Sequence, residues 1–229
     1  KDCIVAQAGC GSVIDSVAWC LADEGDACIV PGPLYPAFKN DFYARARVHL
    51  QVANTAHPDY DVTEEVLQRA HDECVAAGKK PKILLLCSPC NPTGAIYSEA
   101  TLRTCLAWAR ARDMHLLSDE IYGNSVFPGE TFTSMAKVCR DMAPDDARYL
   151  GDRVHIAYGF SKDFGSSGLR IGILLSHNRG LLTAATNGAY FQGVSRLDQW
   201  ALARLLADRA FTAHYLASVR ANLAACYGG

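Results

Sequence analysis

The 229-residue sequence has no long hydrophobic run, no large excess of charge and no repeated or low-complexity segment. Because no apolar stretch approaches the length of a membrane span, we expect no membrane-embedded segment. The formal net charge of −2 offers no electrostatic attraction for nucleic acid. With 50% hydrophobic and 20% charged residues, the composition is typical of a soluble globular protein of one or two domains.

A secreted disulfide framework is also missing, although the chain contains ten cysteines. They are scattered from Cys3 to Cys226 instead of forming clusters. Those in apolar stretches include Cys20, Cys28, Cys74 and Cys105. This distribution is typical of small buried hydrophobic side chains in a reducing compartment, so the sequence predicts a cytoplasmic protein.

One cysteine pair, Cys87-x-x-Cys90, has the spacing of a redox or metal motif. A redox pair needs its first cysteine accessible at a helix N-terminus, whereas Cys87 ends an apolar run and Pro92 follows closely. A zinc site needs a second ligand pair, and none has suitable spacing. We therefore expect no metal site, and thiol chemistry stays open as an alternative.

Short apolar runs alternate with amphipathic patterns, which predicts an α/β fold with a mostly parallel sheet covered by helices on both faces. The predicted strands are residues 4–8, 27–31, 48–52, 83–87, 115–118, 154–158 and 171–175. A helix follows the Gly9-x-Gly11 turn, and further helices are predicted at residues 62–74, 98–112, 179–192, 197–206 and 210–226. Asp61 and Glu64 have the spacing of a capping box for the helix at 62–74.

The stretch between the last two predicted strands carries Lys162, Arg170 and a glycine-rich turn. A lysine that leaves a core strand can attack a carbonyl group, and a nearby arginine can hold a phosphate through two hydrogen bonds. Pyridoxal phosphate requires both, because it offers an aldehyde to the lysine and a phosphate to the arginine. A solvated strand exit without chemistry is the alternative for this stretch alone.

Three other strand exits carry groups that could meet the same ligand. The turn Gly9-Cys10-Gly11-Ser12 leads from a strand into a helix, which predicts an anion site or simply a tight turn. Use of this turn by a nucleotide is not favoured, since no acidic residue ends the following strand. Asn91 lies in a proline-locked loop, and Asp119 with Tyr122 follows the next strand. Carboxyl ends of parallel strands are where α/β proteins bind ligands.

Five segments occur in an order that resembles one enzyme family. They are GDACIVPGPLYPAF, SPCNPTG, SDEIYGNSVF, the Phe-Thr-Ser stretch at 132–134 and FSKDFGSSGLRIG. The chain resembles the fold-type-I pyridoxal-phosphate enzymes of the class I/II aminotransferase family, and within it 1-aminocyclopropane-1-carboxylate synthase and its relatives. The resemblance implies a three-layer α/β/α large domain over residues 1–229, with the family's N-terminal arm and C-terminal small domain absent, as in a fragment of a longer enzyme.

The resemblance also assigns roles to single residues, of which three are catalytic. Lys162 matches the lysine that forms a Schiff base with the cofactor and then moves a proton at the α-carbon of the substrate. Asp119 matches the carboxylate that keeps the pyridine nitrogen protonated. Tyr122 matches a donor to the phenolic oxygen of the cofactor.

The remaining matched positions bind the cofactor. Asn91 matches the second donor to the phenolic oxygen, and Tyr35 matches the aromatic ring that stacks on the pyridine. The phosphate ligands are matched by Cys10, Gly11, Ser12, Ser161 and Arg170. Two departures remove hydroxyl groups, because Gly159 replaces a serine of many relatives and Cys10-Gly11 replaces Ala-Thr.

The implied activity is transamination of an α-amino acid, carried out by a homodimer when the protein is full length. One alternative is 1-aminocyclopropane-1-carboxylate synthase activity, a lyase reaction on S-adenosylmethionine. Another is a catalytically inactive module that keeps the fold.

Overall fold

Seven strands form one sheet in the computed structural model, which describes residues 2–228. In chain order they are β1 (Ile4–Ala8), β2 (Ala27–Gly32), β3 (His49–Asn54), β4 (Pro81–Cys87), β5 (His115–Asp119), β6 (Val154–Gly159) and β7 (Ile171–Ser176). Their spatial order is β1-β7-β6-β5-β4-β2-β3. Only β7 runs antiparallel to its neighbours β1 and β6, so the prediction of a mostly parallel sheet is confirmed.

Residues 2–228 also form eight α-helices, of which the first five lie between strands and the last three follow β7. They are α1 (Cys10–Leu21), α2 (Phe38–Tyr43), α3 (Glu64–Ala76), α4 (Glu99–Ala111), α5 (Met135–Met142), α6 (Arg179–Gln192), α7 (Arg196–Ala207) and α8 (Arg209–Gly228). The short helices α2 and α5 were not predicted. The predicted capping box at Asp61 is wrong, because Thr63 caps α3 by accepting a hydrogen bond from the Val66 amide at 3.3 Å.

The two faces of the sheet carry separate hydrophobic cores, which confirms the three-layer fold. Helices α1, α2 and α6 pack on one face, and α3, α4 and α5 pack on the other. Within β4, Ile83 and Leu85 face the first core, whereas Leu84 and Leu86 face the second. Successive side chains of a strand point to opposite faces, so a strand buried on both sides has a continuous apolar sequence.

A close backbone contact fixes the start of α1 against β7. Gly172 of β7 pairs with Gln7 of β1, and a Cβ atom on Gly172 would lie 2.6 Å from the carbonyl oxygen of Gly9. Only glycine fits such an approach.

Since β1 runs antiparallel to β7 and β7 antiparallel to β6, β1 has the direction of β6. The carboxyl ends of β1, β2, β4, β5 and β6 therefore meet at one edge.

The last three helices expose several large apolar side chains. Tyr190 and Phe191 at the end of α6 are 87% and 88% exposed, and Leu197 and Trp200 of α7 are 70% and 63% exposed. Within residues 2–228, no helix combines the length and apolarity needed to cross a membrane. We call the four exposed side chains Tyr190, Phe191, Leu197 and Trp200 the aromatic surface of α6 and α7.

Two buried histidines form a hydrogen-bonded chain at the amino-terminal edge of β5 and β6. Arg153 lies 2.9 Å from Nε2 of His115, whose Nδ1 lies 3.0 Å from Nε2 of His155; Nδ1 of His155 lies 2.8 Å from Oγ of Ser176. Arginine can only donate, so Nε2 of His115 accepts and its proton lies on Nδ1. Nδ1 of His115 then donates to Nε2 of His155, and Nδ1 of His155 donates to Ser176. Burial lowers the pKa of His115 to about 4 and of His155 to about 3, and the neighbouring cationic groups add to both effects.

We predict that this histidine pair makes the fold sensitive to acid. An unfolded histidine binds a proton near pH 6.5, whereas the folded pair stays neutral until about pH 4 and 3. The free energy of unfolding should therefore fall as pH drops from 6.5 to 4, by up to about 1.4 kcal/mol per pH unit for each histidine. Urea unfolding across this range should show a shallower fall in His155→Gln, whose amide keeps both hydrogen bonds without titrating.

The exposed His214 of α8 provides the matched control. His214→Gln should retain the pH slope of the parent protein, because the His214 side chain is exposed and lies outside the buried histidine pair. Equal slopes in the parent and in His155→Gln would contradict the prediction.

Candidate active site

A cavity of about 270 Å³ lies at the carboxyl-terminal edge of the sheet. Nine of the ten residues predicted for the site line it, namely Cys10, Gly11, Tyr35, Asn91, Asp119, Tyr122, Ser161, Lys162 and Arg170. The tenth, Ser12, lies outside the lining, and its hydroxyl donates to the Ala8 carbonyl at 3.0 Å. Residues from five separate strand exits thus converge on one space.

One end of the cavity is built to hold an anion. Gly9 caps α1 without a side-chain hydrogen bond, which leaves N–H groups of the first turn free of side-chain partners. Arg170 lies directly against this turn, since a Cβ atom on Gly9 would lie 2.9 Å from its Cζ. Arg170 has a left-handed backbone with φ of 50°, and its Nη1 donates to the Ser167 carbonyl at 3.2 Å. The helix terminus and the guanidinium together favour a phosphate.

A buried carboxylate lies at the floor of the cavity. The Asp119 side chain is only 4% exposed, and its Oδ1 accepts hydrogen bonds from the Ile121 amide at 3.2 Å and from the Cys10 thiol at 3.5 Å. Burial raises the pKa of Asp119 to about 6, and the two hydrogen bonds offset part of this rise. No cationic side chain in residues 2–228 forms an ion pair with it. A ligand cation at this place would stabilise the charged carboxylate.

The lining contains an acidic residue that sequence reasoning missed. Asp41 belongs to the unpredicted helix α2, and its Oδ1 would lie 3.3 Å from a Cβ atom on Gly11. Burial raises its pKa to about 6, and the charge of Asp15 adds to the effect. The buried pair Phe38 and Phe42, four residues apart, is the sequence signal that could have revealed the helix carrying Asp41.

Asn91 and Tyr122 also line the cavity. Burial raises the pKa of the Tyr122 hydroxyl, and the polar Asn91 side chain nearby offsets part of the rise. The same two residues line an adjoining cavity of about 610 Å³, which also contacts Phe127 and Glu130. A ligand held between Asn91 and Tyr122 therefore has space to extend.

The lysine of the site is exposed, whereas Phe160 and Asp163 near it in the chain are buried. Phe160 is 8% exposed and packs with Ile171 and Leu202, and Asp163 is fully buried. Within the described part of the chain, Lys162 forms no ion pair. Its amine is therefore free to react at the mouth of the cavity.

The alternative chemistry of the Cys87-x-x-Cys90 pair gains no support. Burial raises the pKa of the Cys87 thiol well above its ordinary value, so its reactive thiolate form is disfavoured. All ten cysteines are free thiols. No group of three His, Cys, Asp or Glu side chains within residues 2–228 is arranged to hold a metal ion.

Comparison with protein families identifies the chain. A family model described as aminotransferase class I and II matches residues 1–226. The chain belongs to this family. Its members include enzymes that depend on pyridoxal phosphate, which agrees with the cofactor implied by the sequence.

Curated relatives of this aminotransferase-family chain include plant synthases. The chain is 36% identical to 1-aminocyclopropane-1-carboxylate synthase 3 of Oryza sativa, over 97% of this chain and 50% of the relative. It is 34% identical to 1-aminocyclopropane-1-carboxylate synthase 5 of Arabidopsis thaliana, over 93% of this chain and 45% of the relative. The chain thus spans about half the length of these curated relatives.

Solved structures with the same fold include aminotransferases. Aspartate aminotransferase from Thermus thermophilus with maleate superposes with a TM-score of 0.80 at 23% identity, over 96% of this chain and 53% of that one. An aromatic aminotransferase from Pyrococcus horikoshii gives 0.80 at 18% identity, over 95% and 54%. These likenesses establish the fold of the family.

The arrangement of residues fits pyridoxal phosphate on three observations. The glycine turn and Arg170 leave an anion cradle that a side chain at Gly9 would fill. Asp119 has no cationic protein partner within residues 2–228, which suits a protonated ring nitrogen. Lys162 offers an amine to the aldehyde at the same cavity.

We predict that Gly9→Ala weakens binding of pyridoxal phosphate at least about tenfold, because the new methyl group displaces Arg170 from the anion cradle. Fluorescence titration of the purified protein with the cofactor measures the effect. Gly78→Ala is the matched control, since Gly78 also has a positive φ of 72° but open space around its Cβ position. Equal losses of affinity in both variants would exclude the steric explanation.

Proposed function

We propose that the protein carries out pyridoxal-phosphate-dependent transamination of an α-amino acid, with this chain as its cofactor-binding part. The observation that supports the proposal is the convergence of Lys162, Asp119, Asn91 and Tyr122 on one cavity beside an anion cradle. Asn91 follows β4, Asp119 and Tyr122 lie at the end of β5, and Lys162 follows β6, so their meeting is a property of the fold.

The proton movements belong to Lys162 and Asp119. When bound, the pyridoxal ring supplies an electron sink for the charge left at the substrate α-carbon. The Lys162 amine takes the proton from that carbon and later returns one, as general base and then general acid. The Asp119 carboxylate holds a proton on the ring nitrogen, and the cationic partner lowers the raised pKa of Asp119 so that it stays ionised.

The other lining residues orient the cofactor. Arg170, the Ser161 hydroxyl and the backbone N–H groups of Cys10 and Gly11 bind the phosphate. Asn91 and Tyr122 would donate to the phenolic oxygen of the ring, and Tyr35 would pack on its face. We propose that Ser12 contributes at most its backbone, because its hydroxyl is engaged with Ala8.

A second candidate function is formation of 1-aminocyclopropane-1-carboxylate. It is favoured by the curated relatives, which carry that name at 34–36% identity. Lys162 would remove the α-proton of S-adenosylmethionine while Asp119 keeps the ring nitrogen protonated. The α-carbon would then bond to the γ-carbon as the γ-carbon–sulfur bond breaks, and the sulfur would leave as a neutral thioether. The cavity next to Asn91 and Tyr122 gives a long substrate side chain room beside Phe127 and Glu130.

We further propose that the longer protein is a cytoplasmic homodimer. The aromatic surface of α6 and α7 supports this proposal, since exposed apolar patches of this kind mark association surfaces. Free cysteines throughout the chain agree with a reducing compartment.

We predict that pyridoxal phosphate attaches covalently to Lys162. Protein incubated with the cofactor, freed of excess and reduced with borohydride should yield one modified peptide, with the label on Lys162. Lys162→Ala should lose the label completely while keeping its melting temperature, because the exposed side chain makes no contact that supports the fold.

A matched surface control is Lys137→Ala, which removes a lysine from an exposed ion pair with Asp141. This variant should label like the parent protein. Labelling of Lys162→Ala at the parental level, or a label on another lysine, would contradict the assignment.

The product separates the two candidate reactions. Incubation with α-amino acids and a keto-acid acceptor should produce the keto acid of the donor if transamination is correct. Incubation with S-adenosylmethionine should instead produce the cyclopropane amino acid if the second function is correct. Covalent labelling of Lys162 without either product would identify an inactive member of the family.

A further inference from the structure

Asp163, which directly follows the exposed Lys162, is a carboxylate with no solvent exposure. No cationic side chain of residues 2–228 pairs with it. Burial of an unpaired charge costs several kcal/mol unless hydrogen bonds compensate. A carboxylate at this position therefore needs hydrogen-bond donors around it, whereas an apolar side chain could be buried there at a lower cost in free energy.

Three donors meet the Asp163 carboxylate. The Asn124 amide donates to Oδ2 at 2.9 Å, the Tyr158 hydroxyl donates to Oδ2 at 2.8 Å, and the Ser125 hydroxyl donates to Oδ1 at 2.5 Å. The Asn124 side chain also donates to the Tyr158 hydroxyl at 3.1 Å, which closes a ring of hydrogen bonds. Burial, followed by the Asp163 charge, raises the pKa of Tyr158, so this hydroxyl stays a donor.

The donors belong to two different strand exits. Tyr158 lies in β6, which leads to Lys162, whereas Asn124 and Ser125 follow Tyr122 after β5. The Ser125 amide donates back to the Tyr122 carbonyl at 2.9 Å, and the Gly123 amide donates to the Glu120 carbonyl at 2.9 Å. The turn that carries Tyr122 is therefore tied through Asp163 to the turn that carries Lys162.

We propose that Asp163 is a positioning residue that holds Lys162 and Tyr122 in a fixed relation across the cavity. This inference rests on the proposed function, in which Lys162 binds the cofactor and Tyr122 donates to its phenolic oxygen. That hydrogen bond lowers the proton affinity of the Lys162 nitrogen once it holds the cofactor. Loosening the tie should therefore raise the pH at which this nitrogen loses its proton.

The first test is a pH titration of the visible absorption band of the cofactor-loaded protein. Asp163→Asn keeps the shape of the side chain but replaces an acceptor oxygen with a donor, so it cannot accept all three hydrogen bonds. Its titration midpoint should rise by at least about one pH unit, a tenfold change in proton affinity. Tyr158→Phe, which removes one donor, should give a smaller rise of the same sign.

The matched control is Asp145→Asn, because Asp145 is exposed and does not line the cavity. It removes the same charge and should leave the midpoint unchanged. A role in folding alone would lower the melting temperature without moving the midpoint. Parental midpoints in folded Asp163→Asn and Tyr158→Phe would overturn the proposal; if Asp163→Asn does not fold, Tyr158→Phe and Ser125→Ala decide it.

Residue-resolved hydrogen exchange of the chain without cofactor separates this proposal from the proposed function. Asp163→Asn should accelerate exchange of the Gly123 and Ser125 amides at least about tenfold, although neither amide donates to Asp163. Lys162→Ala should leave both rates unchanged. If the parent protein takes up no cofactor, the proposed function fails, but the exchange rates still show whether Asp163 connects the Tyr122 turn to the Lys162 turn. Parental exchange rates in Asp163→Asn would exclude that connection.

Discussion

The close approach of Gly172 to the backbone of Gly9 is the contact on which the site depends. It allows β1 to lie beside β7, so that β1 ends at the same edge as β6. Helix α1 then begins next to Arg170, and its free N–H groups point into the cavity that Lys162 also lines. A side chain at Gly172 would meet the backbone of Gly9, which cannot move aside as a flexible side chain can, whereas a side chain at Gly9 would displace the guanidinium of Arg170.

The electrostatics of the cavity follow from this geometry. The cradle end carries Arg170 and the positive end of the α1 dipole, whereas Asp119 lies on the floor. The departure at Cys10 changes the balance, since its thiol donates weakly to Asp119 where an alanine could not. The departure at Gly11 leaves room beside Asp41, which a threonine there would contact. The two departures therefore affect the acidic groups as well as the phosphate contacts.

Local sequence predicted the strands and most of the cavity lining, because both depend on short segments. The run ending at Cys87 is apolar since both of its faces are buried, and Asn91 and Asp119 directly follow strands whose ends must meet at one edge. What escaped prediction depends on contacts between distant segments. Asp163 meets donors 38 and 39 residues away, and nothing in its own neighbourhood indicates them. The Ser12 hydroxyl donates to the Ala8 carbonyl. The spacing of residues in the sequence does not determine whether this hydroxyl binds the nearby backbone or a ligand.

The buried and site-lining polar groups differ in how completely their hydrogen-bonding and ion-pairing capacity is used. At the amino-terminal edge, His115 and His155 use their ring nitrogens in one directed chain, and Asp163 at the other edge accepts from three donors. Such satisfied networks fix geometry and leave no capacity for a ligand. Asp119 has no cation and Lys162 has no ion pair within residues 2–228. Asp119 and Lys162, the groups without an ion partner, both line one cavity. Asp163 holds the turn that carries Lys162, so the reactive group and the group that positions it are adjacent residues of one turn.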